Sequence, residues 1–201
     1  MVTLFLLMLG YGLGSIPTGM LIARWQKGVD IRQVGSGNIG MTNVLRAVGK
    51  GAAALTLVGD LLKGLIPTLL ALLWLTSPWA IGLVGLAAIV GHMYPLFASF
   101  HGGKGVATTL GVFIPLLPGP LLLAFLVWAA CVALRRQVSL GSLAAAIALP
   151  LAALFWGSPT AYAVYASMAA ALIWYRHGDN IRRLLAGIEP TIGQRLNLPK
   201  E

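Results

Sequence analysis

"VATTLGVFIPLL", residues 106–117, is a short apolar run. As a helix it would extend only ~18 Å, against the ~30 Å of a bilayer's hydrocarbon core. Whether it crosses decides the fold, because every segment after it changes side with it. Longer apolar runs flank it at 3–23, 52–75, 79–98, 119–134, 138–156 and 159–175. If all seven cross, the segments 24–51, 99–105, 135–137 and 176–201 share one side. They hold Arg24, Lys27, Arg32, Arg46, Lys50, Lys104, Arg135, Arg136, Arg176, Arg182, Arg183, Arg195 and Lys200. The opposite connections, around 76–78, 117–119 and 157–158, hold no charge. A re-entrant 106–117 would move the Arg135–Arg136 pair across, so the excess of cytoplasmic bases favours seven crossings, with the N-terminus outside and the C-terminus cytoplasmic.

Composition supports this reading. Hydrophobic residues make up 58% of the 201 and charged ones 9%, where soluble domains carry about a quarter charged. The expected fold is an all-α integral membrane protein, a single domain of seven transmembrane helices with Gly-rich cytoplasmic loops. The net charge of +9 would suggest nucleic acid in a soluble chain, but its distribution here is topological, so no nucleic-acid partner is expected. Cys131 has no partner and lies in an apolar run, as a packing residue. The first run lacks the basic start of a signal peptide and reads as a retained span. No internal repeat suggests an inverted-repeat transporter. A short interfacial helix is expected at about 180–188, started by Asp179 or Asn180, with Ile181, Leu184, Leu185 and Ile188 on one face.

Three loops on the basic side carry chemistry. In "GSGNIGMTNVLRAVGKG", 35–51, Ser36, Gly37, Asn38 and Gly40 precede a segment able to form a helix, on which Thr42 and Arg46 share a face, with Asn43 between them. Backbone donors, a helix start and a guanidinium fork form an anion site; the same glycines and asparagines also suit an ordinary capped turn. In "FHGGKGVATT", 100–109, Gly102, Gly103, Lys104 and Gly105 lead into a helix beginning near Val106. The Walker pattern is absent, since Ala98 and Gly105 occupy its first Gly and its Ser/Thr positions. A lysine among glycines still grips phosphate as a point charge. In "YRHGDNIRR", 175–183, Arg176, His177 and Asn180 lie at the surface, and Glu189 follows. Asp60 and Lys63 share a face inside the second run and are expected to neutralise each other. Nucleophile-elbow and zinc motifs are missing, and no histidine is followed by Asp at the spacing of the soluble glycerolipid acyltransferases.

The stretches "GSGNIGMTNVLR", "GHMYPLFASFHGGKGVATTLG" and "YRHGDNIRRLLAGIE", with "GSIPTG" at 14–19 and "DLLKG" at 60–64, closely resemble the motifs of the bacterial acyl-phosphate:glycerol-3-phosphate acyltransferases of the PlsY type. The resemblance spans about residues 10–190. It implies an enzyme of the cytoplasmic membrane that moves a fatty acyl group from acyl phosphate to glycerol 3-phosphate, without cofactor or metal and without direct use of acyl-CoA or acyl carrier protein. It makes Ser36 and Arg46 the essential polar residues of the first motif and the Gly102–Gly105 loop with Lys104 a phosphate-binding loop. His177, Asn180 and Glu189 fall on the polar positions of the third motif. Asn38 and His177 join Ser36 and Arg46 as expected catalytic groups, and Thr42, Asn43 and Asn180 as phosphate contacts. Gly37, Gly40, Glu189, Asp60 and Lys63 are expected to support them. Acyl phosphate is already activated, so the expected mechanism is substrate-assisted transfer. A transporter of organic phosphate would share the basic loops but needs a polar path across the membrane, for which only Asp60 and Lys63 offer themselves.

Overall fold

The computed structural model describes residues 1–193; Arg195 and Lys200 lie outside the described residues. The first apolar run is not one continuous helix. α1 (Val2–Gly14) ends before Pro17 and α2 (Thr18–Lys27) follows it. Proline has no N–H and disfavours helical backbone at the preceding residue, so the break falls at Ser15–Pro17. The carbonyl of Ile16, released from the helical ladder, accepts from Thr18 N–H and from the Lys63 ammonium, each at 3.0 Å.

α3 (Met41–Ala47) is the short helix expected in the first loop, and α4 (Lys50–Trp74) runs through Pro67. α5 (Pro78–Met93) opens on a proline, harmless where the N–H has no intrahelical acceptor. It stops at Met93, short of the expected 98, because Pro95 cannot continue it. α6 (Val106–Leu116), α7 (Pro118–Arg135), α8 (Val138–Phe155) and α9 (Thr160–Arg176) follow. α10 (Gly178–Leu185) starts earlier than expected, with His177 at its cap position and no side-chain cap. Asp179 and Asn180 lie inside its first turn instead. Five helical segments, Val2–Lys27, Lys50–Trp74, Pro78–Ala98, Pro118–Arg135 and Val138–Phe155, have the length and apolar composition to cross a bilayer, and α6 is a shorter apolar helix.

α1 packs on α5 and α4, α4 on α6, and α8 between α7 and α9. Glycine stands at a helix crossing. A Cβ at Gly14 would lie 2.2 Å from the Ala88 carbonyl oxygen, so only glycine lets α1 approach α5 so closely. Leu6, Val84, Ile89, Met93, Val112 and Phe113 fill the core, while Leu122, Leu123, Phe125 and Leu126 of α7 stay exposed, as lipid-facing residues do. A smaller cluster of Met20, Ala23, Ile31, Ile39 and Val44 fixes the first loop against α2 and α3.

Contacts gather the second loop, the α7–α8 turn and the C-terminal segment at one end of the bundle. Lys104 bonds Asn180, Ser139 bonds Glu189 at 2.6 Å, and Ile192 N–H bonds the Arg136 carbonyl at 2.7 Å. α6 and α7 diverge from Leu117–Pro118 with 11 and 18 residues. At 1.5 Å per residue that is ~16 and ~27 Å of helix, so α6 is ~10 Å shorter than α7.

Candidate active site

An open cavity of about 930 Å³ at this end is lined by Ser36, Gly37 and Asn38 of the first loop, Gly102 and Lys104 of the second, and Asn180 of the third. Arg32, His101, Arg176, Arg182 and Arg183 add further basic groups, with Asp30 and Asp179 at the same surface. Thus the three sequence-distant loops form one site.

The first loop is shaped by Asn43. Its side-chain oxygen accepts from Ser36 N–H at 3.1 Å, and its amide nitrogen donates to the carbonyls of Ile31, Val34 and Asn38 at 3.2, 2.9 and 2.9 Å. Asn43 was expected to touch phosphate; it is buried and its amide is spent on the loop backbone. Asn38 accepts from Gly40 N–H at 2.8 Å through its side-chain oxygen, and Gly37 takes φ +68°, which glycine adopts freely. The Ser36 hydroxyl and the Arg46 guanidinium make no hydrogen bond or ion pair among the described residues. Arg46 is half-buried, and burial draws its pKa below the usual arginine range against the pull of Glu189. It is still a cation at neutral pH. Thr42 is half-buried beside it.

The second loop is clamped from two sides. Arg176 donates through Nη2 to the Gly102 carbonyl at 2.7 Å and through Nε to the Gly103 carbonyl at 3.2 Å, while its guanidinium lies 5.4 Å over the Tyr94 ring. Gly103 N–H goes the other way, to the His92 carbonyl at 3.1 Å. Gly105 takes φ +82° at the start of α6, where the first N–H groups have no intrahelical acceptor. Lys104 bonds the Asn180 side-chain oxygen. Burial lowers its pKa to about 8, opposed by Glu189.

The third loop supports Lys104 from behind. Asn180 donates to Glu189 Oε1 at 2.6 Å, Ser139 donates to the same oxygen at 2.6 Å, and Arg183 Nε donates to Oε2 at 2.7 Å. Burial pushes Glu189 up, but these three donors outweigh it and hold the carboxylate below its ordinary range. His177 is buried, and burial followed by the Lys104 charge lowers it to about 4, so it is neutral at pH 7. Its Nδ1 lies 2.7 Å from the Ile173 carbonyl, which assigns the proton to Nδ1 and leaves Nε2 as an acceptor.

Asp60 and Lys63 pair at 2.9 Å as expected, but away from the cavity lining. Thr18 donates to Asp60, and His92 Nδ1 lies 3.5 Å from it. Among the described residues no group of three or more His, Cys, Asp or Glu side chains is placed to hold a metal. Sequence reading missed the Arg176 clamp, the Ser139 and Arg183 bonds to Glu189, and His92. His92 carried a signal, since a histidine within an apolar run invites the same question as Asp60.

A family model for glycerol-3-phosphate acyltransferase matches residues 4–187. Glycerol-3-phosphate acyltransferases of Rubrobacter xylanophilus and Aquifex aeolicus are each 47% identical, over 97% of this chain and 98% of the first, and over 94% of this chain and 98% of the second. Two crystal structures of PlsY, an integral membrane glycerol 3-phosphate acyltransferase, superpose with TM-scores of 0.92 and 0.89 at 47% and 46% identity, covering 96% of each chain. One is a glycerol 3-phosphate form and the other a lysophosphatidic acid form. With the family match across nearly the whole chain and the three motif loops brought to one cavity, the chain belongs to the glycerol-3-phosphate acyltransferase family of integral membrane proteins, the PlsY type.

Proposed function

We propose that the chain transfers a fatty acyl group from acyl phosphate to the 1-hydroxyl of sn-glycerol 3-phosphate, giving 1-acyl-glycerol 3-phosphate and inorganic phosphate. The observation that carries this is the cavity where Ser36, Asn38 and Lys104 meet Arg32, Arg176, Arg182 and Arg183, with the half-buried Arg46, outside the lining, making no hydrogen bond or ion pair among the described residues. A concave surface with this excess of cations over Asp30 and Asp179 suits an anionic ligand. The solved relatives in glycerol 3-phosphate and lysophosphatidic acid forms support an acceptor and product of this kind.

The glycerol hydroxyl attacks the acyl carbon, the acyl C–O bond to phosphate breaks, and the departing phosphate takes both the electron pair and the hydroxyl proton. No strong protein base is required, which suits a His177 lowered to about 4. Arg46, Lys104 and loop N–H groups hold the phosphates; Ser36, Asn38 and the His177 acceptor orient the hydroxyl and the carbonyl. The chain crosses a bacterial inner membrane seven times, with the N-terminus outside and the cavity in the cytoplasm, where both water-soluble glycerol 3-phosphate and membrane-borne acyl phosphate reach it. Asp60 and Lys63, the residues a transport path would need, are closed on each other.

Donor choice tests this reading. Purified protein given glycerol 3-phosphate should form lysophosphatidate from palmitoyl phosphate and none from palmitoyl-CoA. Equal use of the thioester would refute the donor assignment. No product from either, with counterflow of organic phosphate in liposomes, would make the chain a transporter.

A further inference from the structure

The buried cluster behind the glycine loop does more than neutralise itself. Asp60 and Lys63 are each 4% exposed at the side chain, an expensive placement inside an apolar bundle. Lys63 has a local task, binding the Ile16 carbonyl that Pro17 releases. Asp60 is left facing a second partner, His92, at the last turn of α5.

His92 forms the floor under the glycine loop. Its carbonyl accepts Gly103 N–H at 3.1 Å. Its imidazole Nε2 lies so close beneath Gly103 that a Cβ there would sit 2.1 Å from it, and a Cβ on Gly102 would sit 2.1 Å from the His92 carbonyl oxygen. Arg176 pulls the loop carbonyls from the other side. The ring therefore sets how deep the loop can settle, and hence where Lys104 and the α6 start meet an anion. Nδ1 lies 3.5 Å from the Asp60 carboxylate without a formed hydrogen bond and Nε2 faces the loop, so the carboxylate constrains the ring by charge and close packing.

We propose that His92, oriented by the Thr18- and Lys63-anchored carboxylate of Asp60, is a positioning residue that sets the height of the Gly102–Gly105 phosphate loop. The inference rests on the acyltransferase reading, in which that loop holds a substrate phosphate. It assigns the buried charge pair to function through His92, without contact to substrate.

The test uses purified full-length enzyme: wild type, His92→Gln, Asp60→Asn, His92→Ala, Gly103→Ala and Gly103→Ala/His92→Ala. Each is measured for kcat, KM for both substrates, inhibition by inorganic phosphate, and melting temperature. His92→Gln and Asp60→Asn should raise the KM of a phosphate-bearing substrate and weaken phosphate inhibition by about tenfold or more in the folded fraction. The Gly103→Ala defect should shrink when His92→Ala removes the ring it collides with, so the two changes are non-additive. A purely structural cluster would lower melting temperature and yield while leaving KM and phosphate inhibition unmoved, and this result, or additive Gly103 and His92 effects, overturns the proposal. The His92 variants decide the matter even where Asp60→Asn fails to fold. An inactive wild type would overturn the acyltransferase reading and this inference together; an active wild type with unmoved variants overturns this inference alone.

Discussion

Lys104 shows how one side chain's surroundings set its use. Its ordinary pKa of 10.5 falls to about 8 on burial, so the charge proposed to hold phosphate is present below about pH 8 and lost above it. We predict that kcat/KM declines as pH rises through about 8, and that Lys104→Arg, which keeps its charge, moves the decline to higher pH; a profile that Lys104→Arg leaves in place would contradict this. The stability effect has the opposite sign. Between about 8 and 10.5 the unfolded chain binds the extra proton, so this group makes folding more favourable as pH rises while binding weakens. Glu189 acts at one remove. Glu189→Ala strips the acceptor from Ser139, Asn180 and Arg183 and should cost about 1–3 kcal/mol of stability in denaturant titration, with activity falling further because Asn180 no longer holds Lys104 in place. Arg46, Ser36, Lys104 and Asn180 were legible as a polar set in the sequence because their neighbours are glycines and helix starts. The role of Asn43 was not, since an amide that binds backbone and one that binds ligand look alike in a sequence.

Among elements, the first loop depends on one buried amide. Asn43→Ala removes four hydrogen bonds to the 31–38 backbone, so the loop should loosen. Protease cutting near 33–38 should increase and the KM for glycerol 3-phosphate should rise about tenfold, while α4 to α9 stay folded. Unchanged proteolysis would place the loop's order elsewhere. Helix positions were readable from apolar runs, and α4, α6, α7 and α8 fall within a few residues of expectation. The break between α1 and α2 falls within Gly14–Gly19, a small polar dip inside an otherwise apolar run. Pro17 marked it, but whether a proline kinks or splits a helix depends on who receives the freed carbonyl, and Lys63 lies on another helix.

For the whole molecule, the distribution of bases makes a topological prediction. In a Cys131→Ser background, a cysteine at Ser158 should react with a membrane-impermeant maleimide added to intact cells, and one at Gln33 only after permeabilisation. Labelling of both from outside would contradict seven crossings with a cytoplasmic cavity. Charge placement is the ground for this proposed arrangement, whereas the meeting of the loops with Arg136 of the α7–α8 turn and Ser139 at the start of α8 is a tertiary fact with no local signal. The central claim is direct, phosphate-gripped acyl transfer, and the most direct measurement is the stoichiometry of inorganic phosphate and lysophosphatidate formed from palmitoyl phosphate, with and without glycerol 3-phosphate. Equal amounts of the two products are expected, with release only when the acceptor is present and a loss of about 100-fold or more in Arg46→Ala. Phosphate release without acceptor, or normal turnover in folded Arg46→Ala, would contradict that claim.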